Sequence, residues 1–524
     1  MSNSMHAFFY ILSILFSILL PVILAILLRR RFRVSWLLFA IGSLTFIASQ
    51  VVHLPLNHLL TKIGVIPAGM DSGWMIAQAA IVMGLTAGIC EEFARFAGYS
   101  LLKKARQVED GLMLGLGHGG IEAMIFIGIL MAGSVAQLFA MREMDLLSLN
   151  LGPEQLQYLQ QQLNFMDQSA LMGLVPFLER FIAMILHVVL SLMVLHAFQQ
   201  NNRIWIVWAI LYHALVDAIV VVLTLNNFDT LLIELGLLVS VLPGILWAFK
   251  VYGKQLKANQ QPRLVIEWGL FAVAIRKELK QLWRTKMVLV IVGVFALFGM
   301  ASPLLAYFMP QIFSSIEGAE MFKDLIPEPS TVDAMGQYLK NISQFGFLIA
   351  VLVGMGSVAS EKEKGLTEMI LHKPLPRWAF ILSKFSAQAL VFLAAFLIAE
   401  ILAYIYILVL FEPISFGLFT IMNGILFLWL ICFTAITILG STVSRSVGAA
   451  AGISLAGSVI LMLSVQIPRY GSLSPQALMG WAGMLASELN FNLQTSNFAA
   501  LGAAIVFIIM SLIWAVGLFE QQEL

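Results

Sequence analysis

Two adjacent glutamates lie about one helical turn before an arginine. Glu91 and Glu92 precede Arg95 within the apolar segment Gly-Ile-Cys-Glu-Glu-Phe-Ala-Arg-Phe, so a helix there brings the guanidinium close to both carboxylates. A charge-assisted hydrogen bond from arginine can keep one of the carboxylates ionised. An ionised carboxylate in an apolar environment can act as a general base. We therefore predict that Glu91, Glu92 and Arg95 are catalytic residues.

Three histidines on other hydrophobic segments are candidate metal ligands. His118 and Glu122 are four residues apart, as are His213 and Asp217, and each pair therefore shares a helical face, while His187 stands alone. Three imidazoles and a carboxylate are a suitable ligand set for Zn²⁺, and a second carboxylate can activate water. We predict His118, Glu122, His187 and His213 as metal ligands and Asp217 as a further catalytic residue. A metal-free alternative uses a glutamate as base, with histidine and aspartate stabilising the oxyanion.

The elements that carry these residues are long hydrophobic segments. At 1.5 Å per residue, Glu91 lies on the order of 17 Å from one end of its helix, and His118, His187 and His213 lie about 12, 18 and 15 Å from the same side. Ionisable side chains within a bilayer cost at least a few kcal/mol, so their common depth favours a functional cluster. Ion and proton pathways also use buried Glu, His and Asp. An ion- or proton-coupled transporter therefore remains an alternative.

The composition indicates an all-α, polytopic membrane protein. Hydrophobic residues make up 60% and charged residues 11% of the chain, whereas about 25% is charged in an average soluble domain. The net charge of +1 argues against a nucleic-acid partner. We predict about thirteen transmembrane helices from apolar runs of sufficient length, at residues 7–28, 35–55, 74–102, 111–140, 174–198, 204–224, 230–249, 287–309, 344–360, 383–411, 417–442, 448–467 and 496–517.

A polar connection divides these helices into seven and six. We predict a first module at 1–250, a cytoplasmic linker at 251–265 and a second module at 266–524. With the N-terminus outside and the C-terminus in the cytoplasm, 23 of the 30 Lys and Arg residues fall on the cytoplasmic side. Because cytoplasmic loops are enriched in these residues, we predict this orientation in a bacterial inner membrane.

The first module resembles the YhfC family of intramembrane metalloproteases. Glu91-Glu92-x-x-Arg95, His118-x-x-x-Glu122 and His213-x-x-x-Asp217 carry the resemblance over residues 1–250, and the glycine-flanked His118 segment is its most specific part. The module is more distantly similar to PrsW and to the CAAX-protease and bacteriocin-processing proteases. The resemblance implies a protease that uses a divalent metal, with Zn as the expected ion, to cut peptide bonds near the membrane.

The second module begins with an amphipathic segment and contains a charged loop. Residues 266–286 place an apolar stripe beside basic residues, which is typical of a helix on a membrane surface. The stretch from Glu361 to Lys384 is charged and contains prolines inside an otherwise tightly looped bundle, which favours a docking surface. We predict that the docking residues are Glu361, Glu363, Lys364, Lys373 and Arg377.

The order of entry helix, six spans and this loop after the second span resembles the type-2 ABC exporter permeases. The resemblance covers residues 266–524 and implies a permease homodimer or heterodimer driven by separate ATPase subunits. The sequence agrees, because its one Gly-Lys pair, at Gly253-Lys254, is followed by Gln255 and lacks the pattern of a phosphate-binding loop. ATP is therefore expected to act only through a partner subunit.

Together these features predict a fusion of an intramembrane protease with an ABC exporter permease. Such a protein would process and export a peptide, with a bacteriocin-like peptide as the expected substrate. The main alternative is an ABC permease subunit whose first half is a catalytically silent regulator or adaptor. The sequence predicts no ATPase activity in the chain itself.

Overall fold

The computed structural model describes residues 2–67, 69–70, 72–133, 135, 160, 163, 170–259, 268–314, 328–372, 375–468, 470–489 and 495–523. Throughout these residues the chain is helical or irregular, without a strand. It forms two compact units, Met1–Val265 and Ile266–Leu524. Thirteen of the described helices have the length and hydropathy needed to cross a membrane, so the predicted all-α polytopic fold is confirmed.

The first unit contains seven of these membrane-spanning helices. Its helices are α1 (Ser2–Phe32), α2 (Trp36–Lys62), α3 (Gly73–Leu101), α4 (Val108–Ala123), α5 (Val175–Gln199), α6 (Ile204–Leu225) and α7 (Thr230–Ala258). A π-helical segment, Met124–Met131, continues α4, and a 3₁₀ segment, Ala170–Leu174, precedes α5. The π-helix, which begins two residues after Glu122, was not predicted from the sequence, and such segments are frequent at functional sites.

In its described residues, the second unit contains six membrane-spanning helices and four shorter ones. Its helices are α8 (Trp268–Arg284), α9 (Met287–Ser314), α10 (Thr331–Gly354), α11 (Gly356–Glu363), α12 (Leu366–Leu371), α13 (Arg377–Leu410), α14 (Phe416–Val443), α15 (Val447–Leu463), α16 (Ala477–Glu488) and α17 (Thr495–Glu520). The helix predicted from the amphipathic segment is present as α8. Helix α16 was not predicted, because twelve residues are too few for a membrane span.

Helix boundaries follow local capping chemistry. Ser72 caps α3 by accepting from the backbone N–H of Met75, and Asp229 caps α7 in the same way through Leu231. Helix α7 continues to Ala258, so the predicted linker at 251–265 is helical over its first eight residues. Residues 260–265 of that linker lie outside the described part of the chain.

Five helices surround the centre of the first unit. Helix α3 packs along α6, and α4 packs between α2 and α5. Glycine allows the close approach on both sides of α4, because a Cβ at Gly117 would overlap the carbonyl oxygen of Phe39 on α2. A Cβ at Gly115 would lie 2.7 Å from the Cα of Val188 on α5. The polar residues of α2, α3, α4, α5 and α6 therefore meet in a compact interior.

Candidate metal-binding and catalytic site

One carboxylate oxygen lies at the centre of the polar cluster. Oε2 of Glu91, on α3, is 3.1 Å from Nε2 of His118 on α4. The same oxygen is 3.9 Å from Nδ1 of His187 on α5 and 3.9 Å from Nε2 of His213 on α6. All four residues are buried. The common depth expected from the sequence therefore corresponds to direct proximity of one carboxylate and three imidazoles.

Hydrogen bonding to Thr45 favours one tautomer of His118. The hydroxyl of Thr45 has one proton and donates it to the carbonyl oxygen of Gly42 over 2.6 Å. Its 2.9 Å contact with Nδ1 of His118 is therefore a hydrogen bond that the ring N–H donates. In the neutral ring, Nε2 then presents a lone pair to the carboxylate of Glu91. Two lone pairs at this distance repel unless a proton or a cation lies between them.

His213 is oriented in a similar way by Glu92. Its Nδ1 donates to Oε1 of Glu92 over 2.9 Å, and Nη1 of Arg95 donates to the same oxygen. Both Glu92 and Arg95 are fully buried. Nε2 of His213 faces Glu91 and lies 3.6 Å from Oδ2 of Asp217. Arg95 thus pairs with Glu92, the second of the two acids for which the sequence predicted such an interaction.

His187 has partners on both ring nitrogens. Nη2 of Arg95 donates to its Nδ1 over 3.1 Å, so the ring proton lies on Nε2, which contacts Oε2 of Glu122. The other oxygen of Glu122 accepts from Nη1 of Arg180 over 2.8 Å. A metal ion can use Nδ1 of His187 only after the hydrogen bond from Arg95 is released.

The donor atoms fit a divalent metal ion. Glu91, His118 and His187 each offer one ligand atom, and these atoms lie within 4.8 Å of one another. Ligand atoms of a tetrahedral Zn²⁺ site are about 3.3 Å apart for bonds of about 2.0–2.1 Å, so small side-chain movements suffice. Nε2 of His118 faces Glu91 at 3.1 Å, and Nε2 of His213 is 3.9 Å from the same oxygen, so both imidazoles lie where they could contribute to such a site.

This geometry differs in part from the predicted division of roles. From the sequence, Glu122 was predicted as a metal ligand and Glu91 as a catalytic acid. Instead, Glu91 lies among the imidazoles, and Glu122 lies between His187 and Arg180. Asp217 has the most exposed carboxylate of the cluster, with 34% of its side chain accessible, compared with 13% for Glu122.

Three residues that contact the cluster were not predicted from the sequence. Thr45 orients His118, and Gln50 donates to Oε1 of Glu91 over 3.1 Å. Arg180 lies on α5 and binds Glu122. For Gln50, the sequence did contain an indication. Gln50, His53 and Asn57 are polar residues three and four positions apart within an apolar run.

In the second unit, the predicted docking residues occupy different environments. Glu361 is buried, with its carboxylate 2.9 Å from the amino groups of both Lys277 and Lys384. Lys384 also lies 3.2 Å from Glu278, so two lysines and two glutamates join α8, α11 and α13. Partial burial acts to lower the pKa of Lys277, but the adjacent carboxylates of Glu278 and Glu361 outweigh it, and the pKa is raised.

The other docking candidates are mostly engaged or exposed. Arg377 donates to the carbonyl oxygens of Phe519, Glu520 and Gln522 at the end of α17. Glu363 is exposed and accepts from the backbone N–H of Val447 over 3.2 Å, and Lys364 is exposed. Lys373 lies outside the described residues. Burial of Glu361 contradicts its interpretation as an accessible docking residue, because both of its oxygens already bind lysines of the same chain.

Comparisons with known proteins match both units. Residues 16–236 match the family described as YhfC intramembrane metalloprotease, and residues 272–524 match the ABC-2 family transporter proteins. The uncharacterized transmembrane protein YxlG of Bacillus subtilis (strain 168) is 31% identical over 196 residues, which are 36% of this chain and 75% of that protein. The uncharacterized membrane protein YhfC of the same organism is 27% identical over 252 residues, 47% of this chain and 93% of that protein. The resemblance of the first unit to the YhfC intramembrane metalloproteases and of the second unit to the ABC-2 transporters is therefore confirmed.

Proposed function

We propose that this protein is an active intramembrane metallopeptidase fused to an exporter permease, and that it cuts and exports a peptide. The observation that carries the proposal is the position of Oε2 of Glu91 among three imidazole nitrogens inside membrane-spanning helices. Buried ionisable groups are costly in a bilayer, so a structural role alone is a poor explanation for this concentration.

The residues of the cluster are assigned distinct roles. Glu91, His118 and His187 would hold the ion, with His213 adjacent to them. A bound divalent ion, with Zn²⁺ the proposed one, supplies a Lewis acid that polarises a peptide carbonyl and lowers the pKa of water. Glu92 orients His213, and Arg95 holds Glu92 in place. Asp217, the most accessible carboxylate, exchanges protons with the substrate and product.

The permease unit is proposed to receive its driving force from a separate ATPase. Because Glu361 is buried, we assign the contact to the exposed end of the α11–α12 region instead. Lys364 and Glu368 are exposed there, and Leu366 and Met369 are 41% and 67% exposed. Two permease units, identical or different, are proposed to form the transport pathway.

The distribution of basic residues supports a location in the bacterial inner membrane. With the N-terminus outside and the C-terminus in the cytoplasm, the α11–α12 region faces the cytoplasm, where an ATPase can reach it. The same orientation places 23 of the 30 Lys and Arg residues on the cytoplasmic side. Cleavage would then take place before or during export.

The decisive experiment combines metal analysis with a cleavage assay on the full chain in detergent micelles. Wild-type protein should contain about one divalent ion per chain and should hydrolyse dye-quenched casein, with inhibition by a chelator. Glu91→Gln and Glu92→Gln retain size but remove a carboxylate, and at least one of them should abolish hydrolysis. Full hydrolysis by both single variants and by the double variant would refute the proposed peptidase activity. The first unit would then be a catalytically silent adaptor.

A further inference from the structure

A row of polar side chains on α2 leads to Glu91. Gln50, His53 and Asn57 are three and four residues apart and share one face of the helix. All three are half-buried, whereas Val51 between them is 70% exposed. Side chains of this polarity within a membrane-spanning helix are costly unless they bind one another or serve a site.

Each member of the row bonds to the next. Nε2 of Gln50 is 3.1 Å from Oε1 of Glu91, and Nδ1 of His53 is 3.3 Å from Oε1 of Gln50. Nδ2 of Asn57 is 2.9 Å from Nε2 of His53. Thr86, on α3, closes the row by donating to Oδ1 of Asn57 over 2.7 Å.

The carboxylate at one end fixes the direction of every hydrogen bond. An ionised Glu91 only accepts, so Gln50 must present its NH₂ group to Glu91 and its carbonyl oxygen to His53. That oxygen also only accepts, so His53 must carry its proton on Nδ1 and accept from Asn57 on Nε2. The oxygen of Asn57 then accepts from Thr86. The hydroxyl of Thr86 can also turn to the carbonyl oxygen of Met83, 2.9 Å away, but reversal of Gln50, His53 or Asn57 alone would oppose two acceptors or two donors.

We propose that Gln50 and His53 are positioning residues that hold the carboxylate of Glu91 with Oε2 facing the imidazoles. The proposal deepens the proposed peptidase function and rests on it for the consequence in catalysis. His53 prevents the amide of Gln50 from rotating, and the NH₂ group of Gln50 binds Oε1 of Glu91. Oε2, the other oxygen, is thereby left for His118, His187 and His213.

The first test measures the tautomer and does not depend on proteolysis. Full-length protein labelled with ¹⁵N-histidine is examined by NMR in detergent micelles at a pH where imidazoles are neutral, and the His53 signals are identified by their loss in His53→Gln. The row requires protonation of Nδ1, although Nε2 is the protonated nitrogen preferred by a free imidazole. Protonation of Nε2, or a mixture of both tautomers, would overturn the proposed orientation.

The second test compares two replacements of His53 with dye-quenched casein as the probe. Glutamine can still donate to Gln50 and accept from Asn57, so His53→Gln should stay within about 3-fold of the wild-type kcat. Leucine can do neither, and His53→Leu should lower kcat on the order of 10–100-fold while KM stays nearly unchanged. The control is His58→Leu, which changes an exposed histidine of the same helix and should leave both constants unaltered.

The outcomes separate the positioning role from the peptidase itself. Equal losses in His53→Gln and His53→Leu, or wild-type kcat in His53→Leu, would refute the positioning role while leaving the peptidase intact. If wild-type protein fails to cleave casein, the proposed function fails for this probe, and the NMR tautomer alone then decides whether the row orients Glu91.

Discussion

At the scale of single residues, the partner on the second ring nitrogen decides what each histidine can do. Thr45 accepts from His118 and Glu92 accepts from His213, so both rings direct Nε2 towards Glu91. His187 instead accepts from Arg95 on the nitrogen nearest Glu91. Residues behind a ligand commonly fix its tautomer and orientation. Among the proposed metal ligands, His118 is consequently the one whose ring is most completely oriented by its neighbours.

Replacement of His118 should therefore remove the metal. In His118→Ala, loss of one ligand from a site with three or four should lower the metal content from about one ion per chain to a small fraction. Inductively coupled plasma mass spectrometry of purified protein measures this content. His196→Ala is the matched control, because His196 lies near the end of α5 and binds Tyr252 rather than Glu91. Normal metal content in His118→Ala would exclude this ligand assignment.

Replacement of Thr45 should have a smaller effect on metal binding. Thr45→Val keeps the shape of the side chain but removes the acceptor for Nδ1–H of His118. Loss of such an outer partner typically weakens metal binding by about 10–100-fold. Competition with a fluorescent zinc chelator measures the affinity, and an unchanged affinity would mean that Thr45 does not orient the ring.

At the scale of helices, buried ion pairs fix the arrangement of the second unit. Glu278 on α8, Glu361 on α11 and Lys384 on α13 meet where three helices converge, and Lys384 is only 1% exposed. Removal of one partner from a buried pair leaves the other charges uncompensated. Glu361 is thus better explained as part of the connection between helices than as a contact with another protein.

Stability should respond strongly to this cluster. Lys384→Met leaves Lys277 as the one cation beside two carboxylates, so one buried negative charge is uncompensated, and the free energy of unfolding should fall by about 3–5 kcal/mol. Lys280→Met, at an exposed position of α8, should have almost no effect. Denaturant titrations of both variants in the same detergent measure the difference. Equal free energies of unfolding in the two variants would contradict the structural role assigned to the cluster.

At the scale of the whole molecule, each unit has its own polar centre on a separate segment of the chain. The imidazole cluster lies in Met1–Val265, and the ion cluster with the exposed α11–α12 surface lies in Ile266–Leu524. The proposed peptidase and the proposed ATPase contact therefore use different residues throughout, so that mutations can separate them.

Two variants should separate ATPase binding from casein hydrolysis, because each should lose one of the two and keep the other. Met369→Asp places a charge on the proposed contact and should reduce co-purification with the ATPase subunit, while casein hydrolysis stays at the wild-type rate. Glu91→Gln should show the reverse pattern. Tyr470→Asp, an exposed change elsewhere in the second unit, is the control for binding. Retention of the ATPase by Met369→Asp would place the contact on another surface.

The sequence by itself determined the membrane-spanning character, the count of thirteen spans and the two family resemblances. Continuous apolar runs leave few alternatives, because a bilayer requires about 20 apolar residues for each crossing. The histidines and acids of the cluster were also identifiable, since ionisable residues in such runs are rare and costly. Their helical spacing correctly indicated that Arg95 would bind one of the preceding acids.

Only the tertiary structure decided which groups bind one another. Spacing could not distinguish Glu91 from Glu92 as the partner of Arg95, or Glu91 from Glu122 as the carboxylate among the imidazoles. Those choices depend on how far each helix is rotated and shifted along its neighbours. Likewise, the charged segment after α10 resembled a solvated loop, and packing against α8 and α13 buried Glu361 within it. Local sequence cannot encode such contacts, because their partners lie on helices distant in the chain.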